Sequence, residues 1–346
     1  MTDKTKVAVH GSYFADNYGD TLLVKIMCDM AASIVGRENV YLAVGGHEGE
    51  QKAIGYPVVP KSARRSVTHL IYGGGGYLGE RTNGLVDNLT WSIRNYGRHL
   101  AWRKDFAYAK KAVIGAGFGP ISNVLLRGKI RDLLLNSQVV LLRDRESLDY
   151  VDAYGIRHPS IGMCVDIALS LPVKDIAKQG IAVHADNLSQ SELEVIFGCL
   201  AARFGQDAAI EVIFDNPSSC TEEAIAKYKA AATNVAPERL SFRFYDRFDT
   251  LVERIADYSL VVTSKLHVGI TCIAQGGRVI SIPTHQKTAR LYRQLGISQF
   301  CIQRQDLSPS AFGTAIDAME EFKPDRSVIE SGIRKVSDAV SAFLRE

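Results

Sequence analysis

Short runs of apolar, often β-branched residues alternate along the chain with longer segments whose apolar residues recur every three or four positions. The short runs predict buried strands, and the longer segments predict helices with one apolar face. The predicted strands are Val7–His10, Val40–Val44, His69–Tyr72, Ala112–Ile114, Val139–Leu142, Gly180–His184, Ile210–Phe214, Leu240–Phe244, Leu260–Thr263, Val279–Ile282 and Phe300–Ile302. The predicted helices include Leu22–Ile34, Leu188–Phe204, Ala224–Ala232 and Leu251–Ile255. This alternation predicts an α/β protein in which helices cover both faces of parallel sheets.

The predicted strands are too many for one comfortable sheet, and 346 residues suit two domains of ordinary size. A boundary is most plausible around Leu171–Asp175, after the loop-like stretch from Ser160 to Ala168. We therefore expect an N-terminal Rossmann-like domain over residues 1–172 and a C-terminal one over 173–325. Two doubly wound domains that face a central cleft form the GT-B type of architecture.

The tail, residues 326–346, carries apolar residues at helical spacing. They are Ile329, Ile333, Val336, Val340 and Phe343. The spacing predicts a packing helix that crosses back onto the first domain, and a helix on a membrane surface is the alternative. Since no apolar stretch approaches the ~20 residues of a membrane span, any membrane contact is expected to be peripheral.

Composition favours a soluble, enzyme-like protein, with 46% hydrophobic and 23% charged residues. The net charge of +3 is too small to indicate a nucleic-acid partner. The six cysteines are scattered without C-x-x-C spacing, and no signal-peptide pattern precedes the first strand. We therefore expect a cytoplasmic protein with reduced thiols, in possible contact with the inner face of the membrane.

Basic residues gather in two places in the first half of the chain. They are Lys61, Arg64 and Arg65, and then Arg94, Arg98, Arg103 and Lys104. These groups indicate either a solvated helix face or a nearby acidic or lipid-phosphate-bearing substrate.

The most informative polar pattern lies near the C-terminal end of the chain. An apolar run stops at Thr263, and Lys265 and His267 follow at once on the first turn of an apolar helix. The next predicted strand leads to a second such pair, His285 and Lys287. Open α/β sheets bind ligands at the carboxyl ends of their strands, where helix N-termini also favour anions. The pattern therefore predicts an anion-binding site with a titratable histidine. The alternative is that His267 fills a polar corner of the core. No metal-ligand cluster is seen, so we expect no metal site.

Polar and glycine-rich stretches follow two strands of the first half. After the first strand, Asn17 or Asp20 can cap the next helix, but capping does not explain the whole polar run around them. Gly73–Gly79 formally matches G-x-G-x-x-G, yet the second strand and the acidic residue of a dinucleotide site do not follow. We reject a dinucleotide site and expect a glycine loop that lines the cleft, as we do for Gly115–Gly119.

A basic residue also ends one strand of the first half. Arg143 follows Leu141 and Leu142 and precedes Asp144. It could pair with Asp144, or it could bind a carboxylate or phosphate with two parallel N–H groups.

Together these motifs resemble, in their order along the chain, those of polysaccharide pyruvyl transferases. The set consists of Asn17-x-Gly19-Asp20, Gly73–Gly76, Gly115-x-Gly117, Arg143-Asp144-x-x-Ser147, Asp166 and Ser264-Lys265-Leu266-His267, and the stretch from Ile270 to Lys287 fits as well. No single motif is specific, but the ordered set covers roughly residues 7 to 300.

The resemblance implies a two-domain GT-B-type enzyme that uses phosphoenolpyruvate to build a pyruvate ketal on a sugar. The acceptor would be a cell-surface polysaccharide or its lipid-linked precursor. Lys265, Leu266 and His267 match the family's basic-Leu-His motif, which usually begins with arginine. Lysine keeps the charge of arginine but loses its planar fork. The resemblance implies that this motif and Arg143 bind the donor, with Lys287 in reserve.

The acceptor is assigned to the first domain, at Asn17, Asp20, Gly74 and Gly75. Phosphoenolpyruvate is a co-substrate, and no cofactor is expected. Since it carries a carboxylate and a phosphate, its pocket needs at least two cationic or N–H-rich contacts. Proton transfer to its methylene carbon suits a histidine, because imidazole titrates near neutrality. His267 is the predicted acid/base, and Asp20 or Asp166 could serve the acceptor hydroxyls.

Two other functions stay open. A GT-B glycosyltransferase that uses a nucleotide-sugar would usually place acidic residues that bind a ribose beyond the phosphate loop, but the helix after His267 is apolar. A non-catalytic sugar-binding relative is the other alternative, motivated by Lys265 in place of arginine.

Overall fold

The computed structural model describes residues 5–12, 17–46, 48–79, 89–90, 92–93, 104–185, 187–206 and 208–346. By its internal contacts this part of the chain divides into two compact units. The first contains residues 5–12, 20–167 and 330–346, and the second contains 17–19 and 168–329. The chain therefore changes units between Ile167 and Ala168, and the domain boundaries drawn from the sequence, at residues 172 and 325, stay predictions.

The first unit is built on a parallel sheet with seven strands in the described residues. They are β1 (Val7–His10), β2 (Val40–Leu42), β3 (His69–Tyr72), β4 (Gly75–Leu78), β5 (Lys110–Phe118), β6 (Val139–Leu142) and β7 (Ile161–Met163). Their order is β2-β1-β3-β5-β6-β7, and β4 pairs with the second half of β5. The connections change direction between β1 and β3, which makes this gap the topological switch point where such sheets bind ligands.

The described helices of this unit include α1 (Tyr18–Val35), α2 (Glu48–Ile54), α3 (Val124–Leu135) and α4 (Arg145–Ala153), although Tyr18 and Gly19 of α1 are grouped with the second unit. Three of these helices begin at polar caps. Asn17 Oδ1 accepts a hydrogen bond from Gly19 N (3.1 Å), Asn123 caps α3, and Asp144 caps α4. Each cap satisfies backbone N–H groups that have no partner inside the helix. Asn17, of the two residues proposed for capping, thus binds the first turn of α1.

Three stretches for which the sequence predicted loops form strands of the first sheet, so those predictions are wrong. Residues Gly75–Leu78 of the first expected glycine loop form β4, Gly115–Phe118 of the second lie in β5, and part of the stretch after Ser160 forms β7. β4 and β7 are too short to show an alternating pattern of their own. β5 is nine residues long and supplies backbone partners for β3 and β4 in succession, so the Gly73–Gly74 interruption does not end the pairing.

The second unit carries a parallel sheet with five strands in the part of the chain that the structure describes. They are β8 (Ile181–His184), β9 (Ile210–Ile213), β10 (Leu240–Arg243), β11 (Leu260–Thr263) and β12 (Arg278–Ser281). In chain order, the arrangement β10-β9-β8-β11-β12 is 3-2-1-4-5, which matches the first five strands of a Rossmann sheet. Its switch point lies between β8 and β11. The helices are α5 (Gln190–Phe204), α6 (Glu222–Ala231), α7 (Phe248–Asp257), α8 (Leu266–Ala274), α9 (Gln286–Gln294) and α10 (Pro309–Asp317). The predicted strand Phe300–Ile302 is wrong: a 3-10 turn, Ser298–Phe300, leads to a single bridge between Cys301 and Ser281, where β12 already ends.

The tail forms helix α11 (Arg326–Arg345), and residues 330–346 belong to the first unit. Val336, Val340 and Phe343 are buried, and the Phe343 ring meets His69 edge-on at 5.0 Å. This is the apolar stripe that the sequence indicated. Among the described residues no helix combines the length and the apolar character needed to cross a bilayer.

One of the two basic groups of the first half can be described in part. Arg64 forms an ion pair with Asp105, while Lys61 and Arg65 are exposed. Arg94, Arg98 and Arg103 lie outside the described residues.

Candidate active site

The polar residues of the second unit gather where β8, β9 and β11 end. These strands are neighbours, and the gap between β8 and β11 is the switch point. His184 is the last residue of β8, Asp215 follows β9, and Lys265 follows β11. Because parallel strands bring their carboxyl ends to one edge of the sheet, the three side chains meet in one cluster.

Asp215 links this cluster. Its Oδ1 lies 2.6 Å from Lys265 Nζ and 3.3 Å from His184 Nε2. The side chains of Asp215 and His184 are 4% and 1% exposed, and that of Lys265 is 30% exposed. Burial disfavours the carboxylate, but the charges of His184 and Lys265 outweigh it and hold the pKa of Asp215 well below its usual range. Lys265 is therefore one half of an ion pair with a buried carboxylate.

Thr263, at the end of β11, ties this cluster to the backbone. Its Oγ1 accepts a hydrogen bond from Lys265 N (3.0 Å) and lies 3.4 Å from His184 Nδ1. The next backbone N–H, that of Ser264, donates to the His184 carbonyl oxygen (2.8 Å). The turn that presents Lys265 is thus held by both strands that border the switch point.

A cavity of about 430 Å³ lies beside the cluster, a volume typical of a small-molecule site. Its lining includes Asn187, Asn216, Ser218, Ser219, Lys227 and Lys265. Lys227 Nζ donates to the Leu188 carbonyl (3.0 Å), which fixes a second ammonium group at the cavity wall. With Thr221 the lining offers two ammonium groups, two carboxamides and three hydroxyls, beside the carboxylate of Glu223. These groups suit a small ligand rich in oxygen, such as an anion or a sugar.

His267 lies on the first turn of α8 and is not among the described residues that line this cavity. Residues Val268–Ala274 are buried, which explains why α8 is apolar on all sides. The imidazole packs against Gly19 of α1, where a Cβ atom would overlap the ring and approach the His267 Cβ to 2.7 Å. The His267 carbonyl accepts a hydrogen bond from Thr271 Oγ1 (2.8 Å). Lys265 and His267 therefore point into different surroundings within the second unit.

The remaining donor-side predictions, Leu266 and Lys287, are placed less centrally. Leu266 is partly exposed on the first turn of α8. Lys287 is exposed on the first turn of α9, after β12, and is not among the described residues that line the cavity. It stands at the same edge of the sheet as Lys265, one strand further along.

Arg143 belongs to the first unit and is buried there at 5% exposure. Its Nη1 lies 3.3 Å from Asp166 Oδ2, and its Nε lies 3.6 Å from Asp144 Oδ2. Gly117 lies against the guanidinium, since a Cβ there would be 3.0 Å from Nε. Asp144 also binds Ser147 N (2.8 Å). Arg143 thus stands between two buried carboxylates, Asp144 and Asp166, at the end of β6.

The predicted acceptor residues lie near the switch point of the first sheet. Gly73 N donates to the carbonyl of His10, at the end of β1 (2.8 Å). Gly75 has a φ of 122°, which glycine adopts readily, and a Cβ on it would lie 3.4 Å from Asp20 Oδ1. A Cβ on Gly74 would press on Leu23 at 3.2 Å, so this glycine serves the packing of α1. Among these residues Asp20 and Gly75 are close together.

The sequence profile of the polysaccharide pyruvyl transferases matches residues 17–286 of the chain. The chain belongs to the polysaccharide pyruvyl transferase family. The match begins at Asn17 and ends at the start of α9, so it includes the first turn of α1, the Lys265-Leu266-His267 motif and the cavity. The family resemblance drawn from the ordered motifs is confirmed, and the protein is a member of a transferase family of polysaccharide biosynthesis. No curated protein matches the sequence significantly.

Solved structures show the fold of this family member. A UDP-N-acetylglucosamine 2-epimerase from Neisseria meningitidis matches at a TM-score of 0.61, with 7% identity over 99% of either chain. A putative enzyme of the same name from Listeria monocytogenes matches at 0.60, with 10% identity over 99% of this chain and 96% of that one. Anabaena Alr3699/HepE in complex with UDP matches at 0.53, with 11% identity over 99% and 97%. At such low sequence identities the similarity shows only the fold. The structural matches and the two Rossmann-like sheets confirm the predicted GT-B-like α/β class.

The structure brings together some of the predicted site residues and adds two. Lys265 and His267 stand at one helix start in the second unit, whereas Arg143 belongs to the first, so their joint contact with a donor stays a prediction. His184 and Asp215 were missed. Both follow strands that the sequence predicted, and the rule that singled out Lys265, a polar residue at a strand end, would have found them too.

Proposed function

We propose that this transferase moves the pyruvyl group of phosphoenolpyruvate onto two hydroxyls of a sugar, forming a ketal on a cell-surface polysaccharide or its lipid-linked precursor. One observation carries the proposal: the family's basic-Leu-His motif, Lys265 to His267, opens a buried helix at the switch point of a Rossmann sheet. Strand-end residues and a helix N-terminus at this place favour an anion.

The donor would lie in the second unit, with its phosphate or carboxylate at the cavity beside Lys265. Lys265 Nζ donates to Asp215 Oδ1 (2.6 Å) and Lys265 also lines the cavity, so a positive charge stands at its wall. Lys227 adds a second positive charge, and Asn216 and Ser219 add polar groups at the same wall. Phosphoenolpyruvate carries up to three negative charges and fits a cavity of this volume and lining.

The acceptor would lie in the first unit, where Asp20 stands close to Gly75. Of the two carboxylates considered for the acceptor hydroxyls, Asp166 is only 2% exposed and binds Arg143. Asp20 is partly exposed, so it is the better candidate base.

The chemistry is redox-neutral and needs groups that give and take protons. The methylene carbon of phosphoenolpyruvate takes a proton, C2 becomes oxocarbenium-like, and one sugar hydroxyl adds to C2. The C2–O bond to phosphate breaks, phosphate leaves with the electron pair, and the second hydroxyl closes the ketal. Of the two hydroxyl protons, one ends on the new methyl group and the other on phosphate. His267 is the proposed acid/base, a role that contributes about 10²–10⁴-fold to rates.

Donor binding is expected to raise the melting temperature of the protein. By mass action the stabilisation grows with the logarithm of ligand concentration above Kd, to about 2.7 kcal/mol at 100 times Kd. A thermal-shift titration compares phosphoenolpyruvate with uridine, guanosine and cytidine sugar nucleotides. We expect a shift with phosphoenolpyruvate alone. A shift with a nucleotide-sugar and none with phosphoenolpyruvate would establish the glycosyltransferase alternative, and phosphate release in the presence of sugar acceptors separates a catalyst from a binding protein.

Lys265→Arg is expected to keep activity and to leave the donor KM unchanged or lower. Arginine preserves the charge opposite Asp215 and adds a two-pronged donor for carboxylate or phosphate. Steady-state kinetics with varied phosphoenolpyruvate measure this. A loss of activity similar to that of an alanine variant would mean that the site requires the compact ammonium group.

A further inference from the structure

We infer that the first turn of α1 positions His267: Tyr18 and Gly19 hold the imidazole and its helix turn in the orientation that proton transfer requires. Both residues are grouped with the second unit, as is His267. The inference rests on the proposed role of His267 as the acid/base. It also gives Asn17, which the sequence analysis assigned to the acceptor, a role next to the acid/base.

Position 19 requires glycine because the His267 ring leaves no room for a side chain, and not because of the backbone conformation. Its φ is outside the left-handed region, so an ordinary residue could adopt its conformation. A Cβ there would overlap the His267 imidazole and come within 2.7 Å of the His267 Cβ, a separation that real Cβ contacts essentially never show. Two other helical glycines provide a contrast: Gly128 of α3 and Gly313 of α10 have open space where a Cβ would stand. The imidazole of His267 therefore occupies the space that a side chain at position 19 would fill.

Tyr18 fixes the backbone of His267 through a chain of two hydrogen bonds that passes through Thr271. Its side chain is fully buried, and its hydroxyl lies 2.6 Å from Thr271 Oγ1. Thr271 spends its only hydroxyl proton on the His267 carbonyl (2.8 Å), so Tyr18 must donate to Thr271. Burial raises the pKa of the Tyr18 phenol, which keeps it protonated as this donor requires.

Asn17 completes the arrangement by fixing the turn itself. Its Oδ1 accepts the Gly19 N–H (3.1 Å), so the glycine that faces the imidazole is held at the cap of α1. A histidine fixed at its carbonyl and at one ring face loses few rotamers when the substrate binds. Misplacement of a reacting group by about 1 Å can lower rates about 100-fold, which makes these three residues important without contact to the substrate.

Gly19→Ala is the direct test, and Gly313→Ala is its matched control. We expect Gly19→Ala to lower kcat at least ~100-fold, while the affinity for phosphoenolpyruvate, measured by calorimetry, changes less than about twofold. Gly313→Ala should leave both unchanged, because its Cβ meets nothing. Tyr18→Phe keeps the buried ring and removes only the hydroxyl, and it should lower kcat by a smaller factor, again without a change in donor affinity.

A double-mutant cycle tests the contact independently of any reaction. Gly19→Ala should lower Tm by about 2–8 °C in the wild-type background. In the His267→Ala background the ring is gone and only the Cβ contact remains, so less than half of that loss should persist. An equal loss in both backgrounds would overturn the contact. Strong coupling with an unchanged kcat in Gly19→Ala would overturn the positioning role. If the double-mutant cycle shows the coupling but the wild-type protein transfers no pyruvyl group, the proposed function is refuted and the contact remains established.

Discussion

His267→Ala is expected to lower kcat by about 10²–10⁴-fold while the protein still folds and binds phosphoenolpyruvate. Histidine is the residue that enzymes use most often as a general acid or base, and His267 is the histidine of the family motif. It is partly exposed and stands at the N-terminus of α8, whereas the apolar residues that anchor this helix, from Val268 onward, are left intact by the substitution. Phosphate release and donor calorimetry on the same preparation separate the two effects.

The competing interpretation, in which His267 only fills a polar corner of the core, makes a different forecast. In that case the variant would melt many degrees lower and any loss of activity would follow from unfolding. His267→Gln, which retains bulk and hydrogen bonding but not acid–base chemistry, keeps the test decisive if alanine is not tolerated. His158→Ala, in the loop before β7, serves as the control histidine. Full activity in a stable His267→Ala or His267→Gln protein would remove this residue from the reaction.

The second half of the fold could be predicted closely because its three central strands are buried. β8, β9 and β11 are buried at every position and are mostly apolar in the sequence, with Glu211 inside β9 and His184 at the end of β8. β4 and β7 escaped because three or four residues, some of them glycines, carry too little pattern. Their pairing depends on the length of β5, and a non-local partner of that kind leaves no signal in the strand itself.

The site was predicted as a set of strand ends, but its internal pairing was not. Asp215 meets Lys265 only because β9 lies beside β8 and β8 beside β11, an order that the sequence does not state. The same limit applies to Arg143, for which the sequence allowed either Asp144 or a ligand as the binding partner. In the structure Arg143 forms ion pairs with Asp144 and also with Asp166, 23 residues further along. The contact between Gly19 and His267 joins the start of the chain to its last third. It depends on the absence of a side chain at position 19, which the sequence around either residue does not explain.

Lys265→Ala is expected to destabilise the protein by about 2–4 kcal/mol and to raise the donor KM. The substitution leaves Asp215 charged and buried without its nearest counterion, and breaking a buried pair from one side costs about 3–5 kcal/mol. We place the effect somewhat lower because the Lys265 side chain is 30% exposed. Denaturant unfolding and steady-state kinetics measure the two effects, with Lys52→Ala, an exposed lysine of α2, as the control.

Asp215→Asn in the same background separates pairing from donor binding. In the double variant the buried carboxylate that lost its partner is gone, so most of the lost stability should return, whereas the donor KM should stay high because the ammonium group is still missing. The pH dependence gives an independent check. The fold lowers the pKa of Asp215, so the pair stabilises the wild type above the ordinary carboxylate pKa of about 4, and this stability is lost as the pH falls below it. The gap in stability between wild type and Lys265→Ala should therefore persist at neutral pH and narrow as the pH falls below about 4. A gap that stays constant, or an alanine variant as stable as the wild type with an unchanged KM, would show that Lys265 neither neutralises Asp215 nor binds the donor.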